Sequence, residues 1–159
     1  MPETTLTLDK IDKTLLKLLQ TNSRISNSEL AEKVKLSASA CLNRVSRLRE
    51  KGAIKQFATI VNPKDIGLEV TTFTFVALSQ HNRKIAEEFV RKINAIEQIL
   101  ECYHVTGEFD YLLKIVAPDI SAYRDFLIDE LLEITGVSKA ETLVVLKSEK
   151  QIYNLPIKK

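Results

Sequence analysis

The chain has 159 residues, 45% of them hydrophobic, and a formal net charge of +2. That length admits one large domain or two small ones, and a mean hydropathy of −0.05 with no apolar run of membrane-spanning length excludes a membrane-embedded chain and points to a soluble one. Lys and Arg outnumber Asp and Glu by ten to six over residues 1–52 and trail them by thirteen to fifteen over the rest, so the N-terminal part is the one suited to a polyanion.

The opening MPETTLTLDKIDK lacks the basic and apolar regions of a signal peptide, and a cytoplasmic location is expected. Residues 8–21 form a first helix. Asp9 and Asp12 favour its N-terminal turn, and Ile11, Leu15, Leu18 and Leu19 supply the buried stripe. Ser26 followed three residues later by Glu29 is a capping box. Leu30, Ala31 and Val34 then make an apolar stripe, Leu36 closes a turn, and Ser37 caps the next helix. There Ala38, Cys41, Leu42, Val45 and Leu48 recur at helical spacing and are expected to face the core, with Gly52 at the left-handed end position. Two short helices around a tight turn are the sequence form of a helix-turn-helix, which places its second helix in the DNA major groove.

The face opposite that core holds Ser39, Asn43, Arg44, Arg47 and Lys51. Small polar residues come early, where they approach base edges, and cations late, where they reach bases or phosphates. The candidate DNA-facing residues are Ser37, Ser39, Ala40, Asn43, Arg44, Arg47 and Lys51. A charged outer face is also the rule on amphipathic surface helices, so the face alone does not decide.

Ile54 to Val61 alternates as a strand does, and Asn62-Pro63-Lys64-Asp65 with Gly67 is a turn signal. Val70 to Leu78, rich in β-branched and aromatic residues, is a strand. An amphipathic helix over 83–94, strands over Ile99–Thr106 and Tyr111–Ala117, a helix over 120–133 and a strand over Ala140–Lys147 follow. Strand, helix, strand, strand, helix, strand is the βαββαβ ferredoxin-like order. The fold class is therefore α+β: a winged-helix-like helix-turn-helix domain over 1–53, a linker strand and hinge over 54–68, and a ferredoxin-like domain over 69–159. Leu112 and Val116 point away from Leu113 and Ile115, and Val144 and Leu146 away from Leu143 and Val145. Two helices cover only one face of such a sheet, so a dimer or larger assembly is expected to bury the other.

Cys41 and Cys102 lie in apolar-periodic segments and are expected to be reduced core residues. Cys102 and His104 share a strand face and His81 follows in a polar loop, but no second ligand pair completes a metal site. No P-loop, GxSxG, HExxH or dinucleotide fingerprint occurs. An enzyme, a cofactor and a metal are therefore not expected. A sensor that has lost DNA binding and acts through protein partners is the alternative function; the basic face over residues 39–51 argues against it.

Three runs, Leu8–Ser37, Cys41–Ile54 (CLNRVSRLREKGAI) and Val105–Asp119 (VTGEFDYLLKIVAPD), are similar in order and spacing to the Lrp/AsnC family of transcription regulators. The resemblance covers roughly residues 8–150. It implies dimers formed through the C-terminal domains, assembly into tetramers or octameric discs, DNA wrapped or bent around them, and small effectors, usually amino acids, held between dimers. It also implies that the turn at Gly107–Asp110 and nearby strand residues line the effector pocket. Lys35 stands where relatives have Gly, at a cost of about 1 kcal/mol in a left-handed turn, and Ala38 and Ala40 stand where relatives often have prolines.

With that resemblance in hand, Val105, Thr106, Gly107, Glu108, Asp110, Thr142 and Val144 form the candidate effector site. Backbone N–H groups at Gly107 suit a carboxylate, Asp110 suits an ammonium group, Thr142 adds a hydroxyl, and Val105 and Val144 shape a side-chain pocket. A plain hairpin, with Gly for the turn and Asp for local backbone bonds, is the alternative reading of the same residues.

Overall fold

Capping chemistry starts each helix of the N-terminal unit. In the computed structural model, which describes residues 7–80 and 82–158, α1 spans Lys10–Thr21 behind a reciprocal box. Asp9 Oδ1 accepts from the Asp12 N–H at 2.7 Å, and Asp12 Oδ2 from the Asp9 N–H at 3.3 Å. Helix α2, Asn27–Val34, begins with the expected Ser26–Glu29 box. Helix α3, Ala38–Glu50, begins with Ser37, whose hydroxyl accepts from the Ala40 N–H at 3.2 Å. Leu15, Leu30, Ala31, Cys41 and Leu48 are the core where the three helices meet. Lys35 takes the left-handed turn position at φ 56°, and the Asn27 amide braces the turn by donating to the Ala38 carbonyl at 2.8 Å.

Two expectations fail here. Ala38 and Leu42 do not face the core: both are exposed, Leu42 by 54%. Residues 54–61 form no strand. An alternating segment becomes a strand only with a partner to accept its backbone hydrogen bonds, and among the described residues no segment pairs with it; Phe57, Ile60 and Val61 stay exposed.

The chain divides into one unit running to Ile60 and rejoined from Lys150 onward, and a second over Val61–Glu149. The end of the expected 69–159 domain thus belongs with the helices. Gln20 of α1 grips that returning segment with both ends of its amide. Its Oε1 accepts from the Leu155 N–H at 2.6 Å, and its Nε2 donates to the Leu155 carbonyl at 3.3 Å.

The second unit opens with the expected turn, Pro63–Ile66 capped by Asn62 and closed by Gly67. Its elements are β1 Val70–Leu78, α4 Arg83–Ile93, β2 Ile99–His104, β3 Tyr111–Ala117, α5 Ile120–Phe126 and β4 Val137–Val144. The sheet order is β2-β3-β1-β4, with every pair antiparallel, which is the ferredoxin-like arrangement. Val76 and Leu78 of β1, Leu113 and Ile115 of β3, Phe89 and Ile93 of α4, and Tyr123 and Phe126 of α5 share one core. Both helices therefore cover the same face. The other face carries Phe73 opposite Leu143 and Phe75 opposite Leu112, and Leu143 is 54% exposed.

Within the covered face three hydroxyls are satisfied by one another. Tyr123 Oη lies 2.8 Å from Thr74 Oγ1 and 2.6 Å from Thr142 Oγ1, so burial leaves none of them orphaned. The helix expected over 120–133 changes character after Phe126. A wide π-type turn covers Leu127–Leu131, closed by the Leu132 N–H to the Leu127 carbonyl at 3.0 Å. Strand β4 starts three residues earlier than expected, because the Gly136 carbonyl already accepts from the Ser79 N–H at 2.7 Å.

Gly136 sits at φ 96°, and a Cβ there would collide with the Ile85 side chain. Gly136→Ala should therefore destabilise this unit by about 2 kcal/mol, from left-handed strain plus overpacking. Urea unfolding of the two proteins measures the difference, and equal midpoints would show that Ile85 and the turn adapt freely.

Candidate DNA interface and effector site

The outward side of α3 follows from which residues its core takes. With Cys41 and Leu48 buried and Val45 half-buried, the exposed column is Ser39, Leu42, Asn43, Arg49 and Glu50, with Ser46 half-buried among them. Ser37 and Ser39 lie at the start of this column, their hydroxyls 3.2 Å apart. Ala40 is half-buried and Lys51 is exposed on the flank. Residues of this size leave the first turn of α3 accessible to a base edge.

Arg44 and Arg47 leave the column and turn to α1. Arg44 Nη1 lies 2.6 Å from Asp9 Oδ2 and 2.9 Å from Asp12 Oδ1, and Arg47 Nη2 lies 2.6 Å from Asp12 Oδ2. The expectation that both project freely from a basic face is corrected here. Asp12 is fully buried, and a buried carboxylate demands charge compensation; these two guanidinium groups supply it. The sequence reading placed Asp12 only in the helix-dipole role. The signal for more was its spacing: Asp12 and Leu15 fall on the same inward stripe of α1. The reading also missed Arg49, which helical spacing aligns with Leu42 and Ser46.

In the second unit, Gly107 occupies the β2–β3 hairpin at φ 129°. The Val105 N–H donates to the Asp110 carbonyl at 2.9 Å, and the Asp110 N–H to the Val76 carbonyl at 2.9 Å. Asp110 Oδ2 accepts from the Leu78 N–H at 2.7 Å. This carboxylate therefore pins the hairpin to the end of β1, the local-bond reading of the Asp. Thr106, Gly107 and Glu108 are exposed. Lys139 of β4 reaches Glu108 Oε1 at 2.8 Å and lies 4.7 Å over the Phe109 ring, which in turn meets Phe75 at 5.4 Å. Glu108 is held below its usual carboxylate range by the Lys139 hydrogen bond and charge, and Lys139 is raised by the Glu108 hydrogen bond.

Thr142 and Val144 do not join the hairpin within one chain. They pair with Thr74 and Thr72, whereas Asp110 is bonded to Val76 and Leu78. Val144 thus lies four residue steps along β1 from Val76, roughly 13 Å, and Thr142 two steps, roughly 7 Å. The Thr142 hydroxyl is already shared with Tyr123. A depression of about 360 Å³ lies beside Tyr111 against α4, lined by Ala86, Glu87, Val90, Arg91 and Asn94, and none of the expected effector residues lines it.

Cys41 and Cys102 are free thiols, both raised by burial. Cys102 and His104 share the helix-covered face, opposite Leu113 and Tyr111, and His104 stacks on Tyr111 at 5.0 Å. Among the described residues no group of three or more His, Cys, Asp or Glu is placed to hold a metal; His81 lies outside them. No described helix is long and apolar enough to cross a membrane.

Comparison with known proteins covers both units. Residues 8–49 match the AsnC-type helix-turn-helix domain and residues 71–155 the Lrp/AsnC ligand binding domain. The chain is 45% identical over 150 residues to the transcriptional regulator AzlB of Bacillus subtilis, covering 94% of this chain and 96% of that one. It is 40% identical over 151 residues to the leucine-responsive regulatory protein of Escherichia coli, covering 95% and 92%. Among solved structures, the L-Met complex of a transcriptional regulator from Neisseria meningitidis superposes with a TM-score of 0.88 at 37% identity, covering 94% and 97%.

The ionic cluster under α3 makes an acid-sensitive contribution. Asp9 is held below its usual range by the Asp12 N–H first and by Arg44 second. A carboxylate with a lowered folded-state value stabilises fully above its unfolded value, and the contribution vanishes as pH falls through the folded value. The stability difference between wild type and Asp9→Asn should thus be constant above about pH 5 and shrink below about pH 4. Thermal unfolding at stepped pH measures it; a difference that is flat down to pH 2 would remove Asp9 from the cluster's energetics.

Proposed function

The chain belongs to the Lrp/AsnC family of transcription regulators, and on that premise we propose that it binds near-palindromic operator DNA as a dimer or larger assembly, tuned by an amino-acid effector. It is a regulator and not an enzyme, as its named relatives are. The observation that carries the DNA reading is the outward column of α3, small and polar at its start, mounted on a helix trio whose orientation an ionic cluster fixes. A helix held this way enters the major groove without reorganising. DNA as a partner supports a cytoplasmic location.

What supports an assembly is the uncovered sheet face, where Phe73, Phe75, Leu112 and Leu143 lie together by register. Burying it against a second copy removes apolar area from water on both sides and pairs two recognition helices, as a two-fold operator requires. Leu143 is exposed, so Leu143→Asp leaves each subunit folded while placing a charge in the shared face. Sedimentation should then show monomer at concentrations where wild type is a dimer or larger. An unchanged mass would move the interface elsewhere.

The amino-acid effector is supported by the relative crystallised with L-Met and by the chemistry around the hairpin. Exposed Gly107 backbone and the Glu108 and Asp110 carboxylates offer complements to both charges of a zwitterion. The Thr142 hydroxyl is engaged by Tyr123 and Val144 pairs with Thr72, away from the hairpin's anchor on Val76 and Leu78, so in this reading they reach an effector only from a neighbouring copy. Fluorescence anisotropy with the DNA upstream of the protein's own gene, titrated against salt with and without L-methionine and L-leucine, tests the proposal. Selective binding that weakens steeply with salt and shifts with one amino acid is expected. Binding no tighter than to random duplex at any salt would sink the operator reading, and an unshifted curve with every amino acid would sink the effector reading.

A further inference from the structure

If Arg44 and Arg47 are committed to Asp9 and Asp12, other cations must supply the phosphate contacts that position a helix on DNA. The C-terminal end of α3 has them. After Glu50 the chain turns at Gly52, φ 74°, and the Ile54 N–H bonds back to the Leu48 carbonyl at 3.1 Å. This return sets residues 54–57 alongside the last turn of the helix. The Phe57 ring lies 5.8 Å from the Arg49 guanidinium carbon. Ser46, Arg49, Glu50, Ile54 and Lys55 surround an open, shallow depression of about 410 Å³. No carboxylate pairs with Arg49 or Lys55 among the described residues.

Resting on the reading of the chain as a DNA binder, we propose that Ser46, Arg49 and Lys55 form a subsite for a backbone phosphate of the DNA. A phosphodiester is a single anion with acceptor-only non-bridging oxygens. A guanidinium, an ammonium and a hydroxyl around one concavity are its complement. Arg49 ends the same outward column that begins at Ser39, so a duplex lying along α3 meets both. Phe57 is a positioning residue: a guanidinium over an aromatic face is attracted to it and loses side-chain freedom before DNA arrives. Glu50 lines the same rim and opposes the anion, so the phosphate is held at the mouth of the depression beside the two cations.

The subsite has a signature that separates it from base reading. A phosphate contact lowers affinity for every sequence alike and carries a share of the salt dependence; a base contact does neither. The double variant Arg49→Gln/Lys55→Gln, in the full chain, should reduce the slope of log affinity against log salt by about 1 to 2 per bound subunit. Operator and random duplex should lose affinity equally. Glu50→Gln should raise affinity for both, and Lys92→Gln, in the second unit, should change nothing. Phe57→Leu tests positioning. A duplex bearing one methylphosphonate at the contacted phosphate should bind wild type more weakly than the unmodified duplex, and that difference should shrink in the Phe57 variant.

Arg49, Glu50, Lys55 and Phe57 are exposed and Lys92 is half-buried, and circular dichroism checks that each variant is folded. A folded double variant with wild-type salt slope and affinity overturns the subsite alone. A loss confined to the operator makes these residues base readers and also overturns it. A wild-type chain that binds no DNA at low salt overturns the parent reading, and the subsite with it.

Discussion

The N-terminal unit depends on one buried carboxylate. Asp12 is inaccessible to solvent, and its two oxygens hold Arg44 and Arg47 at 2.9 and 2.6 Å while Oδ2 also accepts from the Asp9 N–H. A buried ion left unpaired costs several kcal/mol, whereas a well-placed pair adds little net stability over an apolar substitute. The cluster therefore acts less as glue than as a specification. It allows α3 one rotation about its own axis relative to α1, because any other rotation strands a charge. The turn before α3 adds a second restraint through Asn27 and the left-handed Lys35. A reading helix is useful only if its angle is settled before contact, since loose orientation would be charged against affinity.

The second unit solves a different problem. A sheet with both helices on one face has an apolar surplus on the other. On the helix side the hydroxyls of Thr74, Thr142 and Tyr123 satisfy one another. On the open side a Lys–Glu–aromatic cluster at Lys139, Glu108 and Phe109 borders the apolar centre. The charged hairpin thus stands at the margin of the face that a second copy would cover, where a ligand and an interface can influence each other without any long relay.

Local chemistry was legible from residues alone. The Ser26–Glu29 box, the Ser37 cap and the strands at Val70–Leu78 and Tyr111–Ala117 are each set by neighbours within a few positions. What escaped was set by distant partners. Residues 54–61 have a strand's alternation, but a strand is a pairing and nothing among the described residues pairs with them. Arg44 and Arg47 have the spacing of a basic face, yet Asp12, 32 and 35 positions away, claims them. Leu42 has a core residue's chemistry and sits outside because Cys41 and Val45 already fill the inward arc. Of the expected effector residues, the hairpin is contiguous and readable, while the placement of Thr142 and Val144 follows from β1 and β3 lying between β4 and β2.

The grip of Gln20 on Leu155, across 135 positions of sequence, bears on how the molecule is made. Helices α1 to α3 leave the ribosome before the sheet does, and their short-range contacts favour rapid assembly. The clasp at the end of α1 cannot close until Leu155 has been synthesised, after the intervening sheet has had time to form. The helices are therefore completed only after a sheet that follows them in the chain, and a nascent regulator passes through a stage in which its helix-turn-helix exists without its final fastening.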